Sequence, residues 1–395
     1  MIRARPAVTV SLTEAQGLAL ADTVVAGMAL PVFDNSAMDG YAVRAEDTGG
    51  ATPDQPVVLP VAEDIPAGRT DELTLKPGTA HRIMTGAPLP AGATAIVPVE
   101  ATDGGVQSVA IRQAAPPGKH IRRAGEDVAA GTTVLHAGQL VTPAVLGLAA
   151  ALGLAELTVI PRQRVLVIST GSELVSPGTP LRPGQIYESN SVMLAAAVRE
   201  AGAEVIATGT AGDDVAEFGA VLDRHSAEAD LIITSGGVSA GAYEVVKDAF
   251  GRDGYQDDGQ GVEFVKVAMQ PGMPQGIGRV AGTPIVTLPG NPVSALVSFE
   301  VFLRPALRIA MGLPDPERPH RPAVLTEALT SPRGKRQFRR AILDPSKDGV
   351  GTVTAYGPPA SHHLRWLASA NGLLDIPEDV DEVSAGTELE VWDLS

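Results

Sequence analysis

Four short segments hold the residue types that could do chemistry: STGSEL at 169–174, GDD at 212–214, SGGVSAG at 235–241 and PGNPVS at 289–294. Gly-rich turns and helix N-termini present backbone N–H groups to an anion, and carboxylates such as Glu173 and Asp213 could hold a divalent cation. The combination suits a phosphate-bearing ligand with a metal. Each segment alone has a plainer reading. SGG is usually a strand-to-helix turn, Asp213 and Asp214 could be N-caps, and Glu173 could favour a helix dipole. Four such loops on one sheet edge are harder to explain by turn chemistry.

Two further groups stand out. FDNSAMDGYAVR at 33–44, RIMTGAP at 82–88 and IRRAGED at 121–127 bring Asp34, Asp39, Thr85, Arg122, Arg123 and Asp127 close to Gly, which composition alone reads as surface turns. From Arg318 to Arg340 seven basic residues face one acid, Glu327, a local positive field that could attract an anionic ligand. The seven histidines show no metal-ligand spacing, and no G-x-S-x-G or Walker pattern is present.

The elements that must position these residues follow from hydrophobic pattern. Ser11 and Glu14 have capping-box spacing before an apolar stretch that predicts a helix ending near Leu30. Residues 31–138 read as short strands punctuated by Pro and Gly, and Thr142 to Gly153 as a second helix. From Arg164 apolar strands alternate with helices, the signature of a parallel sheet with right-handed crossovers, in which ligands bind beyond the strands' carboxyl ends. A long helix is expected from Pro292 to Met311, then a Pro-rich linker, then a small β domain from 322. The expected fold class is multidomain α/β plus β. Its parts are a helical domain (1–30 plus 139–163), an inserted β-rich module (31–138), an α/β domain (164–312) and a β-barrel-like domain (313–395).

Composition narrows the function. With 46 acidic against 30 basic residues the net charge is −16, which disfavours a broad grip on nucleic acid. The absence of cysteine excludes disulfides, thiolate metal sites and Cys nucleophiles. The longest apolar run, Ala144 to Ala155, is too short to span a bilayer and reads as a buried helix. With no signal-peptide core, the expected location is the cytoplasm. The 43 Gly and 32 Pro imply many tight turns.

The motifs FDNSAMDGYAVR, RIMTGAP, RRAGED, STGSELV, TSGGVS and LPGNPVSALVSF, in this order, closely resemble the molybdopterin molybdenumtransferase family, which includes the C-terminal part of gephyrin. The resemblance runs from about Leu12 to the C-terminus. It implies insertion of molybdate into adenylylated molybdopterin with release of AMP, a divalent cation, usually Mg²⁺, on the pyrophosphate, and an elongated homodimer with a shared active site. Catalytic roles then fall to Asp39, Asp213, Glu173 and Lys266, with Glu173 and Asp213 organising metal or molybdate. Thr85, Arg122 and Asp127 of the β module bind substrate, as does Glu244 after the SGGVSAG loop. Ser235, Gly236 and Gly237 match the anion loop, and Pro289, Gly290, Asn291 and Pro292 the wall opposite it. Arg336, Arg340 and Ser361 match in the C-terminal domain.

The chain departs from the family at two places. It reads Ala242, Tyr243 and Glu244 where the family has an acid, an aromatic and Asp, and it carries Gln270 and Met273 where the family has two lysines. Each lost charge-assisted hydrogen bond is worth roughly 1.5–3 kcal/mol, so either the basic cluster compensates or the ligand has changed. These departures motivate a second reading, a gephyrin-type scaffold that keeps the fold and binds the peptide tail of a membrane, cytoskeletal or cell-division partner. A third, another nucleotide-binding enzyme on an α/β sheet, holds only if the resemblance is set aside.

Overall fold

The run RVLVIST has no polar alternation, and a strand of that kind must be covered on both faces. In the computed structural model, which describes residues 1–212, 214–237, 246, 249, 261–346 and 350–395, it forms the strand Arg164–Thr170 inside a six-stranded sheet. Val165 and Val167 pack on one side with Leu194, Val198, Phe299 and Leu307; Leu166 and Ile168 pack on the other with Phe218, Leu222 and Ile285. The strand order is Glu204–Ala211, Arg164–Thr170, Leu231–Ser235, Thr283–Leu288, Pro274–Val280, Gly261–Lys266. The first four are mutually parallel, as the pattern implies.

The last two correct the all-parallel expectation, since both pair antiparallel. Pro274–Val280 escapes sequence reading because Pro274, Gly276 and Gly278 look like turn residues. Here glycine lets two backbones meet, and a Cβ on Gly278 would lie 1.9 Å from the carbonyl oxygen of Gly261.

Helices Asn190–Glu200 and Val215–His225 fall where expected. The long helix runs as Pro292–Ser298, a π-helical turn Phe299–Leu303 and Arg304–Ala310. Pro305 cannot donate to the preceding turn, which accounts for the bulge. That turn carries Glu300, only 3% exposed, against Arg318 of the Pro-rich linker at 2.8 and 3.0 Å. Removing one partner of a buried, bidentate pair strands the other charge. Arg318→Met should therefore cost about 3 kcal/mol, read as a lower unfolding midpoint, because the buried Arg304 at 3.8 Å remains as a second partner for Glu300.

Five strands close a small barrel: Arg336–Asp344 pairs with Gly351–Ala355 and Gly372–Ile376, and His320–Leu325 and Glu388–Asp393 complete the ring. Inward residues such as Leu325, Leu343, Val353 and Leu374 fill it. Met269–Gln270 adds a parallel pairing to Arg336–Gln337, and Met269, Val297, Phe338 and Trp392 form an apolar seam. All of this lies in one compact unit, Met1–Thr9, Gly17–Ala21 and Thr158–Ser395.

The second unit, Val10–Gln16 and Asp22–Leu157, holds a five-stranded sheet in the order Ala95–Pro98, Gly40–Val43, Ala80–Ile83, Val57–Ile65, Ser108–Ile111. The N-terminal helix is shorter than its pattern suggests. Its capping box forms, but the helix is Leu12–Ala15 alone. Gly17 weakens continuation, and strand pairing takes Ala19–Leu20 and Val24–Val25 instead. Helix Pro143–Ala151, capped by Thr142, buries Val145 and Ala149 but leaves Ala144, Gly147, Ala150 and Ala151 exposed, so it is not the buried helix expected. Among the described residues no helix is long and apolar enough to cross a membrane.

Candidate functional site

The carboxyl ends of Arg164–Thr170, Leu231–Ser235 and Thr283–Leu288 open onto a cleft of about 1120 Å³, wholly within the larger unit. It is lined by Gly171, Glu173, Ser235, Gly236, Gly237, the run Pro289 to Pro292, the run Met269 to Pro274 and, from the barrel, Lys335 and Pro359 to His362. Thus three of the four loops singled out by residue type share one cavity. Of the fourth, Gly212 meets them, since a Cβ there would touch Ser172 Oγ at 3.6 Å, while Asp213 lies outside the described residues, as does Glu244.

Gly236 turns with φ +93, and a Cβ there would lie 2.6 Å from the carbonyl oxygen of Thr170. Its N–H donates to Leu288 at 3.0 Å, so the loop is pinned across the sheet edge with its bare backbone open to the cleft. Gly290 approaches it closely enough that its own Cβ would be 3.4 Å from the Gly236 Cα. The two backbones are nearly in contact, so this part of the cleft is bare main chain against which a flat or phosphorylated group can lie. The N-terminus of the helix at Pro292 is already engaged, because Val293 N–H donates to the Ser361 carbonyl at 3.1 Å.

Sequence reading missed the cleft's buried carboxylate. Glu188, 4% exposed, accepts hydrogen bonds from Ser169 Oγ at 2.7 Å, Ser191 N–H at 2.7 Å and Ser191 Oγ at 2.5 Å. Ser169 Oγ lies 3.1 Å from Ser235 Oγ, so the network reaches the Gly-rich loop. Asn190 donates from Nδ2 to the Gly290 carbonyl at 2.7 Å, tying the same segment to the opposite wall. The available signal was IYESNS itself, a carboxylate three residues before the first Ser of a helix.

The barrel's basic cluster is not the open positive field expected. Arg318 pairs with Glu300 and Glu200, Arg321 with Asp393, Arg333 with Asp381 and Arg336 with Asp375. Arg339 reaches the Gly357 carbonyl at 3.5 Å; Arg340 is buried and donates to the carbonyls of Ala360 and Pro358, which shapes the segment leading to Ser361. Burial, then Arg339, lowers the pKa of the Arg340 guanidinium. Neither Arg336 nor Arg340 lines the cleft, whereas Lys335 does. Lys266 ends its strand exposed and is not a cleft-lining residue. Among the described residues no group of three or more His, Asp or Glu side chains is placed to hold a metal.

The second unit gathers the remaining site residues by backbone pairing. Asn35–Ser36 pairs with Ile121–Arg122, Gly86 N–H donates to Ser36 and Asp127 N–H to Leu30. Asp39 accepts from Thr85 Oγ1 at 2.7 Å and Thr85 N–H at 2.6 Å, and those bonds lower its pKa, the hydroxyl first. Asp39, Thr85, Arg122 and Asp127 are exposed. Asp34 accepts from Ala124 N–H at 2.8 Å and Arg123 at 2.5 Å, and its pKa is lowered chiefly by the Ala124 bond. A carboxylate held below its unfolded value of about 3.9 stabilises above that pH, and the contribution is lost as pH falls through the folded value. Asp34→Asn should flatten the acid limb of stability below about pH 4, measured by denaturant unfolding at stepped pH.

Comparison with known proteins places this geometry. Residues 1–153 match the model of the MoeA N-terminal region (domain I and II), residues 166–309 the probable molybdopterin binding domain, and residues 322–394 the MoeA C-terminal region (domain IV). The chain is 81% identical, over all of its length and 97% of the relative's, to molybdopterin molybdenumtransferase 2 of Mycobacterium tuberculosis. It is 34% identical over 94% of its length, and 86% of the relative's, to the molybdopterin molybdenumtransferase of Bacillus subtilis. A solved molybdopterin biosynthesis MoeA protein of Pyrococcus horikoshii superposes with TM-score 0.79 at 30% identity, covering 100% of this chain and 96% of the other.

Proposed function

Because the chain belongs to the molybdopterin molybdenumtransferase family, we propose that its cleft binds adenylylated molybdopterin and molybdate, with insertion of the metal and release of AMP. It is an enzyme of molybdenum cofactor biosynthesis. One observation carries the substrate reading: the side-chain-free approach of Gly236 and Gly290 lies in a cleft of about 1120 Å³, room for a pterin nucleotide.

The turn from Ser235 to Gly237 holds the phosphates, Gly236 by leaving them room since its own N–H is bonded to Leu288, and the wall from Pro289 to Pro292 orients the nucleotide. Glu173 and Asp213 would hold Mg²⁺. Glu188, the other described carboxylate lining the cleft, is spent on Ser169 and Ser191, and one or two carboxylates together with substrate phosphates suffice for Mg²⁺. The cation, when bound, neutralises charge on the pyrophosphate. Asp39, kept ionised by Thr85, acts electrostatically rather than as a proton donor.

The working form is a cytoplasmic homodimer in which one subunit's Asp39 cluster completes the other's cleft. Exposed Ala144, Gly147, Ala150 and Ala151 on an apolar helix, with exposed Val32 and Phe33, support a second copy. Of the division into 1–30 plus 139–163, 31–138, 164–312 and 313–395, the boundaries at 164 and 313 are supported by the family-model limits near 166, 309 and 322. Named transferases over the full length favour the enzyme over the scaffold. Expression in a cell lacking its own molybdenum-insertion protein should restore molybdoenzyme activity; no restoration with the protein present would refute the reading.

A further inference from the structure

The larger unit holds a second cavity, of about 280 Å³, which among the described residues shares no lining side chain with the cleft. It lies between helices Asn190–Glu200 and Pro292–Ser298 on one side and the short helix Leu364–Ala368 and the barrel's last residues on the other. Most of its wall is apolar, made by Met193, Ala196, Leu296, Leu367, Leu373 and Leu394. The rest is ionic, made by Glu200, Glu300 and Arg318.

At the ionic end Arg318, only 9% exposed, holds Glu300 at 2.8 and 3.0 Å and reaches Glu200 at 2.6 Å. Glu300 is delivered there by the π-helical turn Phe299–Leu303, an irregularity frequent at functional sites. Two buried guanidinium groups share this one buried carboxylate, because Arg304 lies 3.8 Å from it and its Nε has no hydrogen-bond partner. Burial, then the charge of Arg318, lowers the pKa of the Arg304 guanidinium. The second carboxylate on Arg318 is Glu200, whose side chain is 56% exposed at the rim. An ion pair with so exposed a member is worth about 0–1 kcal/mol, so another carboxylate can replace it at little cost.

We propose that this cavity is a binding site for a small monocarboxylate with an apolar body. Its carboxylate takes the place of Glu200 on Arg318, and its body fills the space between Met193, Leu296 and Leu367. The volume suits one ring on a short arm, since a cavity of about 150 Å³ already admits benzene. A cationic ligand would stand against Arg318. The inference is independent of what the cleft binds.

The experiment titrates full-length wild type, Glu200→Gln and Ala196→Phe with phenylacetate and with its uncharged counterpart phenylacetamide, by calorimetry. Wild type should bind phenylacetate about 10-fold more tightly than the amide, the size of one charge-assisted hydrogen bond. Glu200→Gln, which removes the competing carboxylate, should bind phenylacetate about two- to fivefold more tightly than wild type does. Ala196 is exposed on its helix, so Phe there fills the cavity without entering the core, and that variant should not bind. Added AMP, the probe of the cleft, should leave the affinity for phenylacetate unchanged. The proposal is overturned if wild type does not bind phenylacetate, if acid and amide bind alike, if Glu200→Gln does not tighten binding, if Ala196→Phe binds as wild type does, or if AMP competes.

Discussion

Glu188→Ala should nearly abolish turnover, lowering AMP release by about 100-fold, and should lower stability by about 2–3 kcal/mol. The carboxylate receives three short hydrogen bonds in a buried site, and its removal leaves the Ser191 N–H and two hydroxyls without their acceptor. Water from the cleft can replace part of that loss, which keeps the stability cost below the sum of three charged bonds. The rate loss arises differently. Ser235 is held through Ser169, and Asn190 ties the Glu188 segment to Gly290, so both walls lose their registration. A misplacement of about 1 Å is worth about 100-fold in rate. Glu188→Gln keeps the volume and one acceptor oxygen and should fall between the two. Glu188 acts through its neighbours, so the diagnostic readout is a fall in kcat larger than any rise in KM, with partial rescue by Gln.

Asp39→Ala should lower AMP release on the order of 10²–10³ with little change in stability, the size of effect seen when one preorganised electrostatic group is lost. Asp39 is exposed and anchored only through Thr85, so its loss leaves no buried group unpaired. Because the two Thr85 bonds hold its pKa below the ordinary carboxylate range, its ionisation adds no limb to the pH–rate profile near neutrality. Thr85→Val removes the hydroxyl and keeps the N–H bond, and it should lose activity more mildly. Steady-state AMP release from both variants between pH 6 and 8 measures these effects, and unchanged turnover of Asp39→Ala would remove Asp39 from the reaction.

Much of this was legible because it depends on local pattern. The uninterrupted apolar run at 164–170 demanded cover on both faces and received it, and the Gly-rich segments at its end share one cleft. What escaped depended on partners far along the chain. The basic stretch from Arg318 to Arg340 looked like open positive charge because its partners Glu200, Glu300, Asp375, Asp381 and Asp393 all lie outside it, one of them more than about a hundred residues away. The strand Pro274–Val280 hid behind turn-like glycines that serve close packing. The apolar pattern after Ser11 yielded a one-turn helix because strand pairing with Val159 and Ile160, formed late in the chain, claimed Ala19 and Leu20. Glu188 escaped because a carboxylate before a helix is ordinary; only its burial against three donors marks it.

The central claim is that this chain completes molybdenum insertion in the cleft at the strands' carboxyl ends. Its most direct test is AMP release by the purified full-length protein incubated with adenylylated molybdopterin, molybdate and Mg²⁺. The account predicts molybdate-dependent release of AMP that Gly290→Val, whose side chain would stand against the Gly236 backbone, suppresses. Absence of AMP release by the wild-type protein under those conditions would contradict it.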